Sequence, residues 1–260
     1  MSDIFARTEM LLGPAALGKL AASKVAVFGI GGVGSFTVEG LARSGVGQLV
    51  LVDHDLITVT NINRQIHATH KTLGLSKVEV MRQRILDINP EARVIGHQVF
   101  YRSEQAPDLV DPDLDYIVDA VDSVGAKIDL IMQARQMNIP IISCMGAGNK
   151  LDPTRFEVAD IFETSVCPLA RVMRRELRKR GVDQLKVVYS TEPPANKSAG
   201  YCQAGQPGDI DLDMNSGDGF KRIIPGSIAF VTAVAGLILA GQVVQDLIAL
   251  QERGPLNRKA

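Results

Sequence analysis

Residues 24–55, KVAVFGIGGVGSFTVEGLARSGVGQLVLVDHD, narrow the fold more than any other stretch. Val25, Val27 and Phe28 read as a buried strand, Gly29, Gly31, Gly32 and Gly34 crowd the turn after it, and a helix is expected from near Val33. Glycine suits both demands of such a turn. It takes tight backbone angles, and it lets a phosphate approach the N–H groups at a helix N-terminus without a Cβ in the way. A second apolar run, Leu49 to Val52, ends in Asp53, spaced from Gly29 as a carboxylate that grips a ribose hydroxyl would be. The pattern predicts a nucleotide site at the edge of a parallel sheet. By itself it fits the dinucleotide of an oxidoreductase as well as any other nucleotide.

Strand and helix patterns continue to alternate. Helices are expected at Lys77 to Ile88 and Ala126 to Met137, and strands at Arg93 to Val99, Tyr116 to Val121 and Ile139 to Cys144. Alternation of this kind predicts a Rossmann-like, doubly wound, mostly parallel α/β sheet. Before it, residues 1–22 read as a helical arm with Leu11, Leu12, Leu17 and Leu20 as apolar contacts and Gly13-Pro14 as an interruption. After the nucleotide-binding core of 23–148 comes a smaller elaboration, 149–260, read as part of the same single domain. It holds short strands at Arg155 to Val158 and Lys186 to Tyr189, a basic helix at Pro168 to Arg180, and a Gly-, Pro- and Asp-rich loop from Thr191 to Gly219.

Composition removes several classes. Charge is nearly balanced at −1 and 46% of the 260 residues are apolar, which suits a soluble globular protein in which any basic surface is local. Cys144, Cys167 and Cys202 form no CxxC pair, so neither a disulfide framework nor a tetrahedral zinc site is expected, and a reducing cytoplasm fits. The opening MSDIFARTEMLLG lacks the basic-then-apolar order of a secretory signal. Ile223 to Gln245 is uncharged and long enough to cross a bilayer. Pro225, Gly226 and Ser227 interrupt its start, and Thr232, Gly236, Gly241, Gln242 and Gln245 are spread through it. The expectation is a buried C-terminal helix from Ile228 to Leu250, capped by Ser227, with no membrane insertion.

The segment Asp53 to Gln65, DHDLITVTNINRQ, changes the reading of the nucleotide. With the glycine loop before it, Lys77 after Gly74-Leu75-Ser76, and Asp119-Ala120-Val121-Asp122 after a later strand, it resembles the ubiquitin-activating-enzyme-like (ThiF/MoeB/HesA) adenylyltransferases. The resemblance implies ATP as the nucleotide and Mg²⁺ as its metal. The charges make sense on their own terms. ATP carries about four negative charges and an attacking carboxylate adds another, so cations must gather round the α-phosphate. Arg64 and Lys77 can neutralise that charge, and Asp122, just past a strand's carboxyl end, can hold Mg²⁺. Asp53, with Asp55 near it, would take the ribose, and Asn61 and Gln65 would orient phosphate or the Arg64 loop. Each residue also has a bland reading: Arg64 and Lys77 as solvated charges, Asp122 as a helix cap, Asp55 as a turn cap. In carrier-activating relatives an arginine of the N-terminal arm reaches the partner subunit's ATP. Arg7 stands in the similar place, which implies a homodimer; a loose, exposed arm is the alternative.

The second half narrows the family. DSVGAKIDLIMQARQMNIPIISCMGAGNKLDPTRFEVADI, CPLARVMRRELRKRGV, VVYSTEPP and GSIAFVTAVAGLILAG resemble the bacterial tRNA threonylcarbamoyladenosine dehydratases. That family is a group of ligases that adenylylate the threonine carboxylate of a modified adenosine beside the anticodon and close it into a ring. The resemblance implies tRNA as partner and leaves a cysteine desulfurase or sulfur-acceptor system open. The alternative is adenylylation of the C-terminus of a ubiquitin-like sulfur carrier, whose enzymes often carry two CxxC zinc pairs that are missing here.

An RNA substrate needs positive charge somewhere. On a helix from Pro168, Arg171, Arg174, Arg175 and Arg178 share one face, with Lys179, Arg180 and Lys186 extending it and Leu169, Val172, Met173 and Leu177 expected opposite. A solvated face is the bland reading. Cys167, ahead of Pro168, reads as an incidental thiol rather than a nucleophile, and Cys144 as core. His67 and His70 form an HxxH pair without a third ligand, which argues against zinc. Ser190-Thr191-Glu192 and Lys197 resemble family features near the substrate. Tyr189 and Tyr201 could stack bases, with packing the expected role.

Overall fold

The computed structural model describes residues 3–102, 109–195 and 225–252. Seven strands form one sheet: β1 (Lys24–Phe28), β2 (Gln48–Val52), β3 (Arg93–His97), β4 (Tyr116–Asp119), β5 (Ile141–Cys144), β6 (Phe156–Asp160) and β7 (Lys186–Ser190). Their order is β3-β2-β1-β4-β5-β7-β6, and every neighbouring pair is parallel except β6 with β7. The chain winds outward from β1 through β2 to β3, returns to β4, and winds the other way. Its reversal point therefore lies between β1 and β4, where ligands sit in sheets of this kind. The expected mostly parallel, doubly wound sheet is what forms.

The helices are α1 (Ala6–Leu12), α2 (Pro14–Ala22), α3 (Gly34–Arg43), α4 (Lys77–Ile88), α5 (Val124–Gln136), α6 (Pro168–Lys179) and α7 (Ala229–Glu252). Most boundaries follow local chemistry. Ser123 accepts the N–H of Ala126 at 3.5 Å, so α5 starts two residues ahead of the expected Ala126. Pro140 keeps β5 from starting at Ile139. Asp152 accepts the N–H of Thr154 at 2.9 Å and nucleates a short 3₁₀ turn, Pro153–Arg155, which delays β6 to Phe156.

The arm is less buried than its leucines suggest. Leu17 and Leu20 enter the core and Leu12 packs at its edge, but Leu11 is 82% exposed. The reason is the break at Gly13, whose φ of +83° separates α1 from α2, so that α2 lies on the body while α1 buries no residue.

The long apolar helix α7 lies across α3 and the sheet. Val231, Ala235, Leu239, Val243 and Leu247, each four residues from the next, form a stripe in the main core, with Ala240 and Val244 beside it. Small residues set a close crossing. A Cβ on Gly236 would stand 2.4 Å from the Val33 carbonyl oxygen, one on Gly40 would stand 2.7 Å from Ala240, and Thr37 Oγ1 donates to the Gly236 carbonyl at 3.1 Å. Asp246 accepts from Tyr116 Oη at 2.6 Å and from Lys186 Nζ at 2.7 Å, which fixes the helix to β4 and β7. The helix starts at Ala229, so Ser227 lies one residue ahead of the cap position. Its carbonyl instead accepts from Asn63 Nδ2 at 2.9 Å.

Candidate active site

The carboxyl ends of β1 and β4 meet under the glycine loop. Gly29 has φ +86°, and a Cβ there would lie 2.7 Å from the Ala120 oxygen and 2.9 Å from Val121 N. A Cβ on Gly34 would overlap the Gly29 oxygen at 1.8 Å, so these two glycines exist for packing. A Cβ on Gly32 would lie 3.2 Å from the Thr232 side chain of α7. Gly31 differs: the nearest atom to its missing Cβ is Gln65 Nε2 at 3.9 Å, which leaves room on its face. Val33 stands at the cap of α3 with no side chain capping it among the described residues, so the first N–H groups of α3 remain a site for an anion.

Asp53 ends β2 and braces this loop. Its Oδ2 accepts from Ile30 N at 2.6 Å and its Oδ1 from Asp55 N at 2.9 Å. Each carboxylate oxygen keeps a second lone pair, so a ribose hydroxyl can still be held.

The segment that follows folds back on itself. Ile57 N donates to Leu75 O at 2.8 Å, Gly74 N to Ile57 O at 2.9 Å, and Lys77 N to Asp55 O at 3.2 Å. This puts Asp55 against Lys77, the first residue of α4, whose Nζ lies 2.5 Å from Asp55 Oδ2. A buried lysine at a helix N-terminus works against both desolvation and the helix dipole. Asp55 offsets both, so the lysine is held in place for a reason other than helix stability.

Asn61 and Thr58 form a reciprocal cap, Asn61 Oδ1 accepting Thr58 N at 3.1 Å. The Asn61 carbonyl in turn accepts Arg64 N and Gln65 N at 3.1 and 3.0 Å. Arg64 Nη1 donates to the carbonyl of Thr60 at 2.9 Å and to Asn63 Oδ1 at 3.0 Å. Asn61 thus shapes the Arg64 turn. Gln65 is buried beside Gly31, and its Oε1 has no partner among the described residues. An orphaned buried oxygen beside an open glycine fits a site built for a polar ligand.

His67 and His70 do not form a pair. His67 is buried with both ring nitrogens unpartnered among the described residues, while His70 is exposed. Burial, helped by the charges of Lys77 and Arg84, pushes the His67 pKa down to about 4. It is a neutral spacer behind the cations.

Asp53, His54 and Asp55 bring three ligand atoms within 4.8 Å of one another, with each carboxylate already engaged by partners within the protein. Asp53 serves two backbone N–H groups, and Asp55 serves Lys77 and, at 3.1 Å, His54. Asp122 is exposed two residues past Ala120, at the β4 exit. Its carboxylate is the hard oxygen donor that suits Mg²⁺ shared with phosphates.

Arg7 lies elsewhere. The arm packs by Phe5 against Gly45, and Ile4 and Phe5 line a hollow with Arg43, Asp87 and Ile88, at the carboxyl ends of α3 and α4. The glycine loop is at the opposite end of α3, a helix of ten residues and about 15 Å. Within one chain, Arg7 is not brought to the site.

The basic helix α6 keeps its predicted arginine face, but Ala170, Met173 and Leu177 are the buried residues opposite, with Leu169 and Val172 only partly covered. Its charges are not equivalent. Arg174 Nη1 donates to the Thr164 carbonyl at 2.9 Å and to the Thr164 hydroxyl, a half-buried anchor. Arg178 lies over the Phe162 ring, 5.0 Å from its centroid. Glu176 accepts from Lys179 at 3.0 Å, Arg180 at 3.0 Å and Arg175 at 3.1 Å, and those bonds draw its carboxyl down to about 2. Arg171 is exposed, and its guanidinium makes no hydrogen bond or ion pair among the described residues.

Cys167 is 2% exposed and Cys144 is buried in β5, where desolvation pushes its thiol up to about 12. Tyr189 is buried, donating to Glu157 at 3.0 Å, so packing is its role. Glu192 accepts the N–H groups of Leu151 and Asp152 at 3.1 and 2.9 Å. Lys197, Tyr201 and Cys202 lie outside the described residues.

The sequence pass missed a buried cluster beneath Asp122, made by Asp119, Lys127 and Ser143. A signal existed: Lys127 sits at the head of an i, i+3, i+4, i+7 stripe otherwise made of Leu130, Ile131 and Ala134.

Known proteins resemble this chain over nearly its whole length. The ThiF family model matches residues 5–258. The tRNA threonylcarbamoyladenosine dehydratase of Bacillus subtilis is 44% identical, with 94% of each chain covered. That of Escherichia coli is 38% identical over 87% of this chain and 89% of the relative. The crystal structure of the Escherichia coli enzyme in complex with ATP superposes with a TM-score of 0.83 at 34% identity, covering 97% of this chain and 98% of that one. The chain therefore belongs to the ThiF family, in the branch formed by the tRNA threonylcarbamoyladenosine dehydratases.

Proposed function

We propose that the protein is an ATP-dependent tRNA threonylcarbamoyladenosine dehydratase, a single adenylation domain acting as a homodimer. The observation that carries this reading is the gathering of the glycine loop, the Arg64 turn, Lys77 and Asp122 around the carboxyl ends of β1 and β4. Relatives alike over nearly their full length bear the same activity in their names.

In this reading the α3 N-terminus and the Gly31 face receive phosphate, Asp53 and Asp55 face the ribose side, and Gln65 supplies its unpartnered oxygen to a donor of the ligand. Asp122 would hold Mg²⁺, which when bound would neutralise charge on the phosphates and orient them. Arg64 and Lys77 balance the charge that builds as a threonine carboxylate oxygen bonds to the α-phosphorus and pyrophosphate leaves. The acyl-adenylate carbon is then attacked by an atom of the same modified side chain, which gives up its proton to solvent as AMP leaves with the former carboxylate oxygen. The nucleoside has lost one water. No enzyme thiol is needed, which accords with the burial of Cys167.

Arg7 completes the site of the partner subunit, a reading supported by its remoteness from its own glycine loop. Arg171, Arg175, Arg178 and Lys179 face RNA phosphates, and Arg174 holds α6 against Thr164.

The deciding experiment incubates threonylcarbamoylated tRNA with the protein and Mg·ATP, then weighs the nucleosides by mass spectrometry. Loss of one water that requires ATP is expected. An unchanged nucleoside, with ATP–pyrophosphate exchange stimulated instead by a ubiquitin-like carrier, would replace this function with carrier activation.

A further inference from the structure

The ammonium of Lys127 is 1% exposed and lies at the carboxyl ends of β4 and β5. It donates to Cys144 O at 2.7 Å, Asp119 Oδ2 at 3.0 Å and Ser143 Oγ at 3.3 Å, which uses all three of its donors. Asp119, the last residue of β4, is fully buried. Its Oδ2 also takes a very short bond from the Ser143 hydroxyl, and its Oδ1 accepts Val121 N at 3.2 Å. The cluster thus joins α5, β4 and β5 and holds the backbone of the next turn through Val121.

That turn is a wall of the nucleotide site. Ala120 N donates to Phe28 O at 2.8 Å, Ala120 and Val121 fill the space against Gly29, and Asp122 follows directly. A displacement of Val121 must push the glycine loop, because Gly29 has no slack toward it. A buried ion pair is a poor choice for simple cohesion, since well-packed apolar residues hold such a place as well or better. What it does supply is orientation: Lys127 and Ser143 fix one oxygen of Asp119, so the other must face Val121 N.

We infer that Lys127, acting through Asp119 and Ser143, is a positioning residue that holds the Ala120–Asp122 turn against the glycine loop and thereby sets nucleotide affinity without touching the nucleotide. This deepens, and rests on, the reading of the switch point as an ATP site.

The test compares the full-length wild type with the double variant Lys127→Met/Asp119→Asn, which leaves no unpaired buried charge, and with the milder Ser143→Ala. Melting temperature, ATP affinity by calorimetry, and amide hydrogen exchange of residues 29–34 and 119–122 are read for each. For the double variant, retained cooperative melting with exchange in both segments faster by about tenfold and ATP affinity weaker by about tenfold is expected, with α6 exchange unchanged. A folded double variant whose exchange and affinity match wild type overturns the inference. Should the double variant not fold, Ser143→Ala decides: about a threefold change in the same two readouts supports the inference, and none overturns it. Failure of the wild type itself to bind ATP would remove the nucleotide reading, while the exchange comparison would still decide whether Lys127 holds the turn.

Discussion

The nucleotide edge and the basic helix both carry the positive charge that a polyanionic substrate needs, yet they hold it in opposite ways. At the nucleotide edge Lys77 is buried and pinned by one carboxylate, and the loop below it is fixed by backbone contacts with no spare volume. On α6 the cations are mostly exposed, and one acidic residue, Glu176, engages three of those along and just beyond the helix. The first arrangement spends stability on position. The second spends little and leaves its charges free to track a mobile polymer. Chemistry at one phosphorus demands the former; holding many phosphates demands only the latter.

Removing charge at the pinned site should give the largest effect. Lys77→Ala or Asp122→Ala is expected to lower adenylylation at least about 10³-fold with tRNA affinity unchanged, measured by pyrophosphate release and by filter binding. Equal losses in both assays would erase the distinction between the two regions.

Acid should act next, and selectively on the nucleotide edge. His67 is neutral when folded, with its pKa near 4, and takes a proton near the ordinary 6.5 when unfolded. The unfolded state therefore binds more protons between these values, so stability falls as pH drops from about 6.5 toward 4, by up to roughly 3 kcal/mol, and levels off below. Denaturant titrations across this window should flatten in His67→Leu. Glu176 shifts in the same direction in a lower window: what its surface bonds contribute is present above the usual carboxylate pKa and is lost as pH falls from there through about 2.

Within α6 itself the arginines should separate. Arg174→Ala is expected to cost about 1.5–3 kcal/mol of stability through the lost Thr164 bonds. Arg171→Ala should leave stability alone, weaken tRNA binding at every sequence tested, and reduce the salt slope by about 0.7–0.9. A reversal of these two outcomes would mean that the exposed charge is the structural one. Least of all should change on Cys167→Ala: turnover within about twofold of wild type, since a buried thiol at the α6 cap has no step to perform.

Much of this was legible in the residues. The helix at Lys77–Ile88 has the bounds its periodicity and the following Asn89-Pro90 predict, and the glycine loop lies at the sheet's reversal point because a strand, a tight turn and a distal acid leave few other arrangements. The placement of β7 between β5 and β6 was not legible, because nothing local in Lys186–Ser190 tells which strand it will pair with. Partners far along the chain were also hidden. The stretch from Thr164 to Arg174 carries no local sign of a hydrogen-bonded anchor, and Glu176, among so many cations, does not show in sequence that it joins three of them. The HxxH spacing of His67 and His70 does not tell that His67 is inside; only the packed structure puts it there.

The seating of α7 on the glycine loop also has a consequence for how the protein is made. Thr232 touches Gly32, Gly236 sits against Val33, and Ser227 holds Asn63, so the back of the nucleotide pocket is supplied by the last described element in chain order. A ribosome delivers that element after every strand of the sheet. Strands β1 to β5 emerge with an open apolar seam along α3, and the growing chain must shelter it until α7 arrives. A nascent chain stalled before Ala229 would carry the glycine loop, Arg64, Lys77 and Asp122 and still lack the wall that α7 lays behind them.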